Sequence, residues 1–260
     1  MGKDKDLYPQ CAMCETYACM SSLKTGEMNP GEKPDFCPLK VKPEIIRHSV
    51  EEYKKPENHA MAYTSAVQEF QNYEWLPGRK MRTSITRVEE IMDFAKKMGY
   101  RRLGLAYCAG LRYEARLAAE IFGAKGFEFA SVCCKCSSTP KEEVGLSEDQ
   151  KIRGPGTIEI MCSPITQAIL LNDAEVDLAV MLGQCVGHDT LFIKYIAVPT
   201  TVLGVKDRVF GHDPIRALYL SQGPYYGRLL IEEPYESEVY PYKEHGRYDD
   251  LSGAKGLDSD

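Results

Sequence analysis

No stretch of the 260-residue chain approaches the roughly 18 to 20 consecutive apolar residues that a membrane-spanning helix needs. A helical membrane protein is therefore not expected. Met1 to Gln10 is polar and charged with no apolar core, which speaks against a secretory signal. Positive charge is not in excess. Thirty-two Lys plus Arg stand against 38 Asp plus Glu, a net charge of -6. General affinity for nucleic acid or anionic membranes is a poor expectation for such a chain. Tryptophan occurs once, at Trp75. It and the Tyr-rich C-terminal segment read as packing residues, not as base-stacking platforms. Motifs for common chemistries are missing too. Gly104 to Gly110 contains no G-x-G-x-x-G, and there is no Walker A sequence, no H-E-x-x-H and no G-x-S-x-G. Nicotinamide, nucleotide and serine-hydrolase chemistry thus lack positive support. Ser163, followed by Pro164, reads as a helix cap, not a nucleophile. There is no internal repeat and no long low-complexity tract. With 43% hydrophobic and 27% charged residues, the chain is neither wholly disordered nor collagen-like nor a coiled coil. It can bury one large core, with or without a small module beside it.

What is plentiful is cysteine, with ten residues. A chain of this length does not need disulfide staples. Without a signal, a reducing cytoplasmic compartment is the expectation, where clustered cysteines serve metal or redox chemistry. The cysteines fall into two groups. Cys11-Ala-Met-Cys14, Cys19 and Cys37-Pro38 lie in a polar leader. A two-residue gap turns two thiolates onto one ion or cluster, and two further cysteines complete a four-sulfur shell. Sulfur ligands select zinc or iron–sulfur clusters, and the Cys37-Pro38 step leans toward the latter. Residues 1 to 42 are accordingly read as a metal-binding module.

The second group depends on the fold. Residues 43 to 83 read as a helical connecting region, with helix as far as the Leu76-Pro77-Gly78 break. From residue 84 to 225, helices and strands alternate. Thr86 to Glu89 forms a capping box, and Val88, Ile91, Met92, Ala95 and Met98 form a helical stripe ended by Gly99. Strands are expected at 102–107, 127–132, 157–161, 177–182 and 197–205. Helices are expected at 111–122 (closed by Gly123), from Ser163-Pro164 to Asn172, at 188–195 and at 213–220. A loop spans 137–156. This rhythm predicts an α/β domain with a mostly parallel, Rossmann-like open sheet and helices on both faces. Residues 226 to 260 read as an extended polar tail, disordered near its end.

In such a sheet the carboxyl ends of the strands share one edge, where ligands bind. Cys108, Cys133, Cys134, Cys136, Cys162 and Cys185 each follow an expected strand, so they should converge there. Only one of Cys133 and Cys134 is expected to join a given ion, since neighbours in an extended chain point oppositely. Cys108, Cys162 and Cys185 also precede helices, whose free N–H groups favour thiolates. Beside Cys185 stands His188, a candidate ligand or acid–base group, with Asp189 available to orient it. These three are the candidate catalytic residues. Lys206-Asp207-Arg208 and His212-Asp213 lie at the same edge. They could bind an anionic substrate, but mutual ion pairing is the commoner outcome.

Several segments together resemble one family. They are Cys11-x-x-Cys14…Cys19, Leu103-Gly-Leu-Ala-Tyr-Cys108, Cys133-Cys-Lys-Cys136, Leu182-Gly-Gln-Cys-Val-Gly-His-Asp189 and Val205-Lys-Asp-Arg-Val-Phe-Gly-His-Asp-Pro214. The resemblance is to a cysteine-rich domain-of-unknown-function family of anaerobic bacteria and archaea, labelled uncharacterised metal-binding proteins. It covers roughly residues 10 to 225 and implies metal binding through both cysteine groups in a cytoplasmic protein of an anaerobe. It implies no reaction. The strand-end cysteines are also similar, at the level of fold, to the cluster domains of carbon monoxide dehydrogenase and hybrid-cluster proteins. The functional expectation is an iron–sulfur protein with two sites, [4Fe–4S] in type, acting on a small molecule or with an electron-transfer partner. The alternatives are structural zinc with a small-molecule-binding α/β domain, and a thiol-based redox or sulfur-transfer enzyme using Cys133, Cys134 and Cys136.

Overall fold

The computed structural model describes residues 8–20, 31–78 and 80–230. The chain divides into two compact units, with the boundary in sequence between Ile85 and Thr86. In the first unit, Cys11–Met13 makes a single 3-10 turn. Three helices follow: α1 (Pro38–Val41), α2 (Pro43–Glu52) and α3 (Pro56–Gln71). Each opens on a proline, whose missing N–H costs nothing there and whose φ is already helical. The expectation of helix as far as Leu76 fails at its end. Strands β1 (Tyr73–Leu76) and β2 (Lys80–Thr83) form an antiparallel hairpin instead. The aromatic residues Tyr73 and Trp75 suit a strand, and Gly78 takes the left-handed φ of 81° in the connection.

The second unit opens with α4 (Arg87–Lys97) and the expected capping box. Thr86 Oγ1 accepts from the Glu89 amide at 3.5 Å, and the Glu89 carboxylate accepts from the Thr86 amide at 2.8 Å. Then come β3 (Arg102–Tyr107), α5 (Arg112–Ala124), β4 (Glu128–Cys133), α6 (Pro164–Asp173), β5 (Leu178–Gln184), α7 (His188–Tyr195), β6 (Thr200–Val205) and α8 (Ile215–Leu220). α5 runs past Gly123. The left-handed residue that follows it is Gly126, with φ of 85°.

Strands β3 to β6 form one open, all-parallel sheet in the order β4-β3-β5-β6. Alternation along the strands divides the core in two. Leu103, Leu105, Leu178, Val180 and Leu182 pack with Ile91 and Ala95 of α4 and Ala115, Ala118 and Phe122 of α5. Ala106, Ala179 and Met181 pack with Ala168 and Leu171 of α6 and Phe192 of α7. Helices therefore cover both faces, and the sheet is the Rossmann-like one that the sequence leads one to expect. β5 is buried along its whole length, as its near-continuous apolar sequence requires of a central parallel strand. The connections leaving β3 and entering β5 run on opposite faces, which opens a crevice at their carboxyl ends.

One expected strand is absent from the sheet. Residues 157–161 contribute only an isolated antiparallel bridge, between Ile160 and Pro140. Their carbonyls serve lysines instead: Thr157 accepts from Lys151 Nζ at 2.7 Å and Ile160 from Lys135 Nζ. Of the expected tail, a 3-10 turn at Gly227–Leu230 is seen. Residues 231–260, and with them the expected disordered end, lie outside the described residues. No helix among those described is long and apolar enough to cross a membrane.

Candidate functional site

The hydrogen-bond ladder of the sheet continues past the ends of its strands. The Cys134 amide donates to the Tyr107 carbonyl at 2.9 Å, the Cys108 amide to Leu182 at 3.0 Å, and the Lys206 amide to Gln184 at 3.1 Å. Cys108, Cys134 and Lys206 are thereby fixed on the carboxyl edge. Below them lies the buried side chain of Gln167, from α6. Its Nε2 donates to the carbonyls of Tyr107 (3.2 Å) and Val132 (2.7 Å), and its Oε1 accepts from Gln184 Nε2 at 3.0 Å. One side chain thus ties the ends of β3, β4 and β5 together.

Cys162 arrives by another route than the one expected, since no sheet strand precedes it. The Ser163 amide donates to the Cys134 carbonyl at 2.7 Å, and the Met161 amide to Thr139 at 2.8 Å. Ser163 does not cap α6 with its side chain. Its hydroxyl pairs with that of Ser137. Cys185 follows β5, and its carbonyl accepts from the amides of His188 (2.9 Å) and Asp189 (3.1 Å) at the start of α7.

Cys108, Cys134, Cys162 and Cys185 line a single cavity of about 890 Å³. Cys133 and Cys136 are not among its lining residues. Cys133 hydrogen-bonds the Tyr107 phenol, whose pKa burial pushes up, and Cys136 is exposed. Cys134 is the hub of the cavity. Its thiol hydrogen-bonds both Cys108 and Cys162, and its sulfur accepts from the Ala109 amide at 3.3 Å. The bond from Cys134 lowers the Cys108 pKa to about 5, helped by the Gly110 amide, Lys206 and Arg208 against the cost of burial. The same donor lowers Cys162 to about 5, helped by Lys135 and His188. Cys134, whose single S–H is shared between the two, is pushed up by these bonds and by burial. Arg208 Nη2 donates to Cys185 Sγ at 3.3 Å.

His188 lines the cavity, whereas Asp189 does not. The Asp189 carboxylate accepts from the Thr190 amide at 2.7 Å and makes no hydrogen bond to His188 among the described residues. The cations at the edge behave differently from the expected ion pairs. Asp207 Oδ1 accepts from the amides of Val209 (2.8 Å) and Phe210 (2.9 Å). It is engaged with its own turn, and among the described residues neither Lys206 nor Arg208 has a carboxylate partner. Gly110 admits Lys206, because a Cβ there would stand 3.0 Å from Nζ. His212 Nδ1 accepts from the Asp207 amide at 3.2 Å, and Asp213 pairs with Arg216 at 2.9 Å. Lys135, Lys141 and Arg153 also line the cavity. Sequence reasoning missed these three, whose one visible mark is their place in or beside the loop that follows a cysteine-bearing strand end.

The other four cysteines belong to the first unit, and no described contact gathers their sulfurs. The Cys14 amide donates to the Cys11 carbonyl at 3.1 Å. Cys14 Sγ lies 3.6 Å from Thr16 Oγ1, a contact that lowers its pKa. Cys19 is exposed. The Cys37 carbonyl accepts from the Lys40 (2.8 Å) and Val41 (2.9 Å) amides at the start of α1. All ten thiols are free of disulfides. Among the described residues, no three His, Cys, Asp or Glu side chains are grouped so as to enclose a metal ion.

Comparison with known proteins adds kinship. An uncharacterised protein of Methanocaldococcus jannaschii is 41% identical over 191 residues, spanning 74% of this chain and 90% of that protein. No solved structure matches. The model of the family described as protein of unknown function (DUF1847) matches residues 37–203, and the chain belongs to that family.

Proposed function

We propose that the sheet-edge cavity holds a cysteine-ligated iron–sulfur centre of [4Fe–4S] type, with Cys108, Cys134, Cys162 and Cys185 as ligands. One observation carries this reading: four cysteines from four separate segments line one cavity. The donor set fits the group by its chemistry. Sulfur ligands select iron–sulfur clusters and zinc. The Ala109 amide already donates to a ligand sulfur, and such bonds tune cluster potentials. The hydrogen bonds from Cys134 to its neighbours are what thiols make before a metal displaces their protons. A single ion draws its sulfurs to about 2.3 Å from one point. A cluster is bulkier, and the open cavity suits it better than it suits a lone zinc.

When bound, such a group would supply electron transfer; an open iron for a small substrate would require that one of the four cysteines is not a ligand. The chain's own residues hold it, hydrogen-bond its sulfurs and surround it with positive charge. Cys11, Cys14, Cys19 and Cys37 are proposed as a second site in the first unit, for a cluster or for structural zinc. The setting is a reducing cytoplasm with an electron-transfer partner. The test is anaerobic purification with iron, acid-labile sulfide and visible absorbance. Cys108→Ser should remove the cavity's iron and sulfide, while Cys133→Ser, on the Tyr107 side, should keep them. Colourless protein lacking iron and sulfide after reconstitution would overturn the reading.

A specific observation favours a second reading, thiol–disulfide exchange. Cys108 and Cys134 follow the in-register pair Tyr107 and Cys133. Neighbouring strands lie about 4.8 Å apart, within the Cα separation that a disulfide bridges. The Cys108 thiolate would attack a substrate disulfide and release one thiolate. Cys134 would then resolve the mixed disulfide, leaving the substrate as two thiols and the protein oxidised. In this reading the exchanging pair is Cys108 and Cys134, in place of the expected Cys133, Cys134 and Cys136. Exposure to oxidised glutathione should then produce a Cys108–Cys134 crosslink by peptide mass spectrometry. Unchanged thiols would exclude exchange.

A further inference from the structure

The cavity is positively charged inside a negatively charged protein. The net charge is -6, yet five lysines and arginines line the cavity and no Asp or Glu does. Lys141 is neutralised by Glu159. Lys135, Arg153, Lys206 and Arg208 are not paired with carboxylates among the described residues. They converge from three segments, so the excess is not an accident of one basic run. The sulfurs do not exhaust it: Arg208 donates to Cys185 Sγ at 3.3 Å and Lys135 hydrogen-bonds Cys162, whereas Lys206 and Arg153 make no hydrogen bond to a sulfur among the described residues. Four cysteines alone also do not account for the space, since about 890 Å³ lies within the range of whole small-molecule pockets.

The remaining wall is apolar. Val144, Leu146 and Ile152 from the loop face the cavity together with Ile165 and Leu191 from α6 and α7. The loop that supplies the first three is held closed on itself. Lys151 is only 5% exposed and pairs with Glu142 and Glu148 at 2.5 Å each. Glu148 also accepts from the Gly156 amide at 2.6 Å. Glu142 and Glu148 are engaged by this internal pairing, and neither pairs with Arg153.

We propose that the cavity binds a small organic anion, with an oxyanion head at Lys206, Arg208 and Arg153 and an apolar body against Leu146, Ile152 and Ile165. The inference deepens the proposed site by naming its substrate class, but it rests on the cations and the apolar wall, so it stands or falls apart from the iron. Guanidinium groups recognise carboxylates and phosphates in a bidentate manner, with an ammonium group adding charge. The body is held by burial of apolar area.

The test is calorimetric titration of the full chain, purified anaerobically, with butanoate, hexanoate, octanoate, hexyl phosphate, inorganic phosphate and octylamine. At least one alkyl anion should bind with one-to-one stoichiometry, and affinity should rise with chain length. Carboxylate against phosphate identifies the head. Inorganic phosphate alone should bind more weakly than hexyl phosphate, and octylamine should not bind. Lys206→Gln should weaken the anion at least about tenfold, the loss of one charge-assisted bond, with iron, sulfide and absorbance unchanged. Arg153→Gln, at a residue that is not among the groups acting on the cysteine sulfurs, gives the same reading if Lys206→Gln folds poorly. Absence of binding by every alkyl anion, equal binding of octylamine, or full affinity in the folded variant overturns the proposal. Iron-free protein that still binds hexanoate through Lys206 would defeat the iron–sulfur reading and leave this one standing.

Discussion

At the scale of single residues, two positions outside the sulfur set are fixed by their surroundings. Glu159 is held at about 2, well below its ordinary 4.5, by its bond to Lys141 and by the Arg153 amide at 2.5 Å. A carboxylate with a depressed pKa stabilises the fold fully above its unfolded value and progressively less as the proton binds. The loss should therefore run from about pH 4.5 down to about pH 2. Glu159→Gln should remove that part of the acid dependence, seen as a flatter plot of melting temperature against pH. Gly183 is the second. Its φ is 72°, and a Cβ there would run into the Leu111 side chain and stand 3.6 Å from the Cys108 Cβ. Gly183→Ala should destabilise the protein by about 2 kcal/mol or more, through strain and overpacking. It should also disturb Cys108, which urea unfolding and metal content would read together. Gly183 closes the apolar run Leu178–Leu182, and nothing in that run marks it as the space for another strand end.

At the scale of elements, much was legible. The capping box of α4, the span of β3 and the start of α6 and α7 follow from caps, prolines and apolar periodicity, which are local. The hairpin of β1 and β2 was not legible, because Tyr73 to Leu76 continues a helical pattern until a turn returns the chain on itself. Residues 157–161 misled in the opposite sense. Their alternation is strand-like, but the loop's buried Lys151 and its acidic partners claim the segment. Cys162 was placed at the right edge on the wrong premise, and the Ser163 to Cys134 backbone bond does what a strand was expected to do. The role of Gln167 was invisible too, since a glutamine in a helix shows no sign of reaching three strand ends. Gln167→Leu should cost about 1 to 3 kcal/mol for each buried group left unpaired. A shifted urea midpoint with an unchanged slope would show that the loss lies in the native state.

At the scale of the whole molecule, ten cysteines divide by unit. Cys11, Cys14, Cys19 and Cys37 lie before Ile85, and the cavity lies after Thr86. If the proposed cluster is present in the cavity, replacing the first four together by serine should leave its iron and sulfide unchanged, and a loss of both would overturn the assignment of the cluster to the cavity cysteines. The inversion of charge between surface and cavity was hidden from composition, which averages over the chain. It arises because Asp207, Glu142, Glu148 and Glu159 are each engaged by their own segment. The amides of Cys108 and Cys134 are paired as strand amides are, though each belongs to a loop by sequence. Their hydrogens should exchange with solvent only when the sheet itself opens, so their protection should equal that of the central strand β5. A pair of loop residues would then report the global opening of the second unit, and any ligand that stabilises this unit should slow both by the same factor.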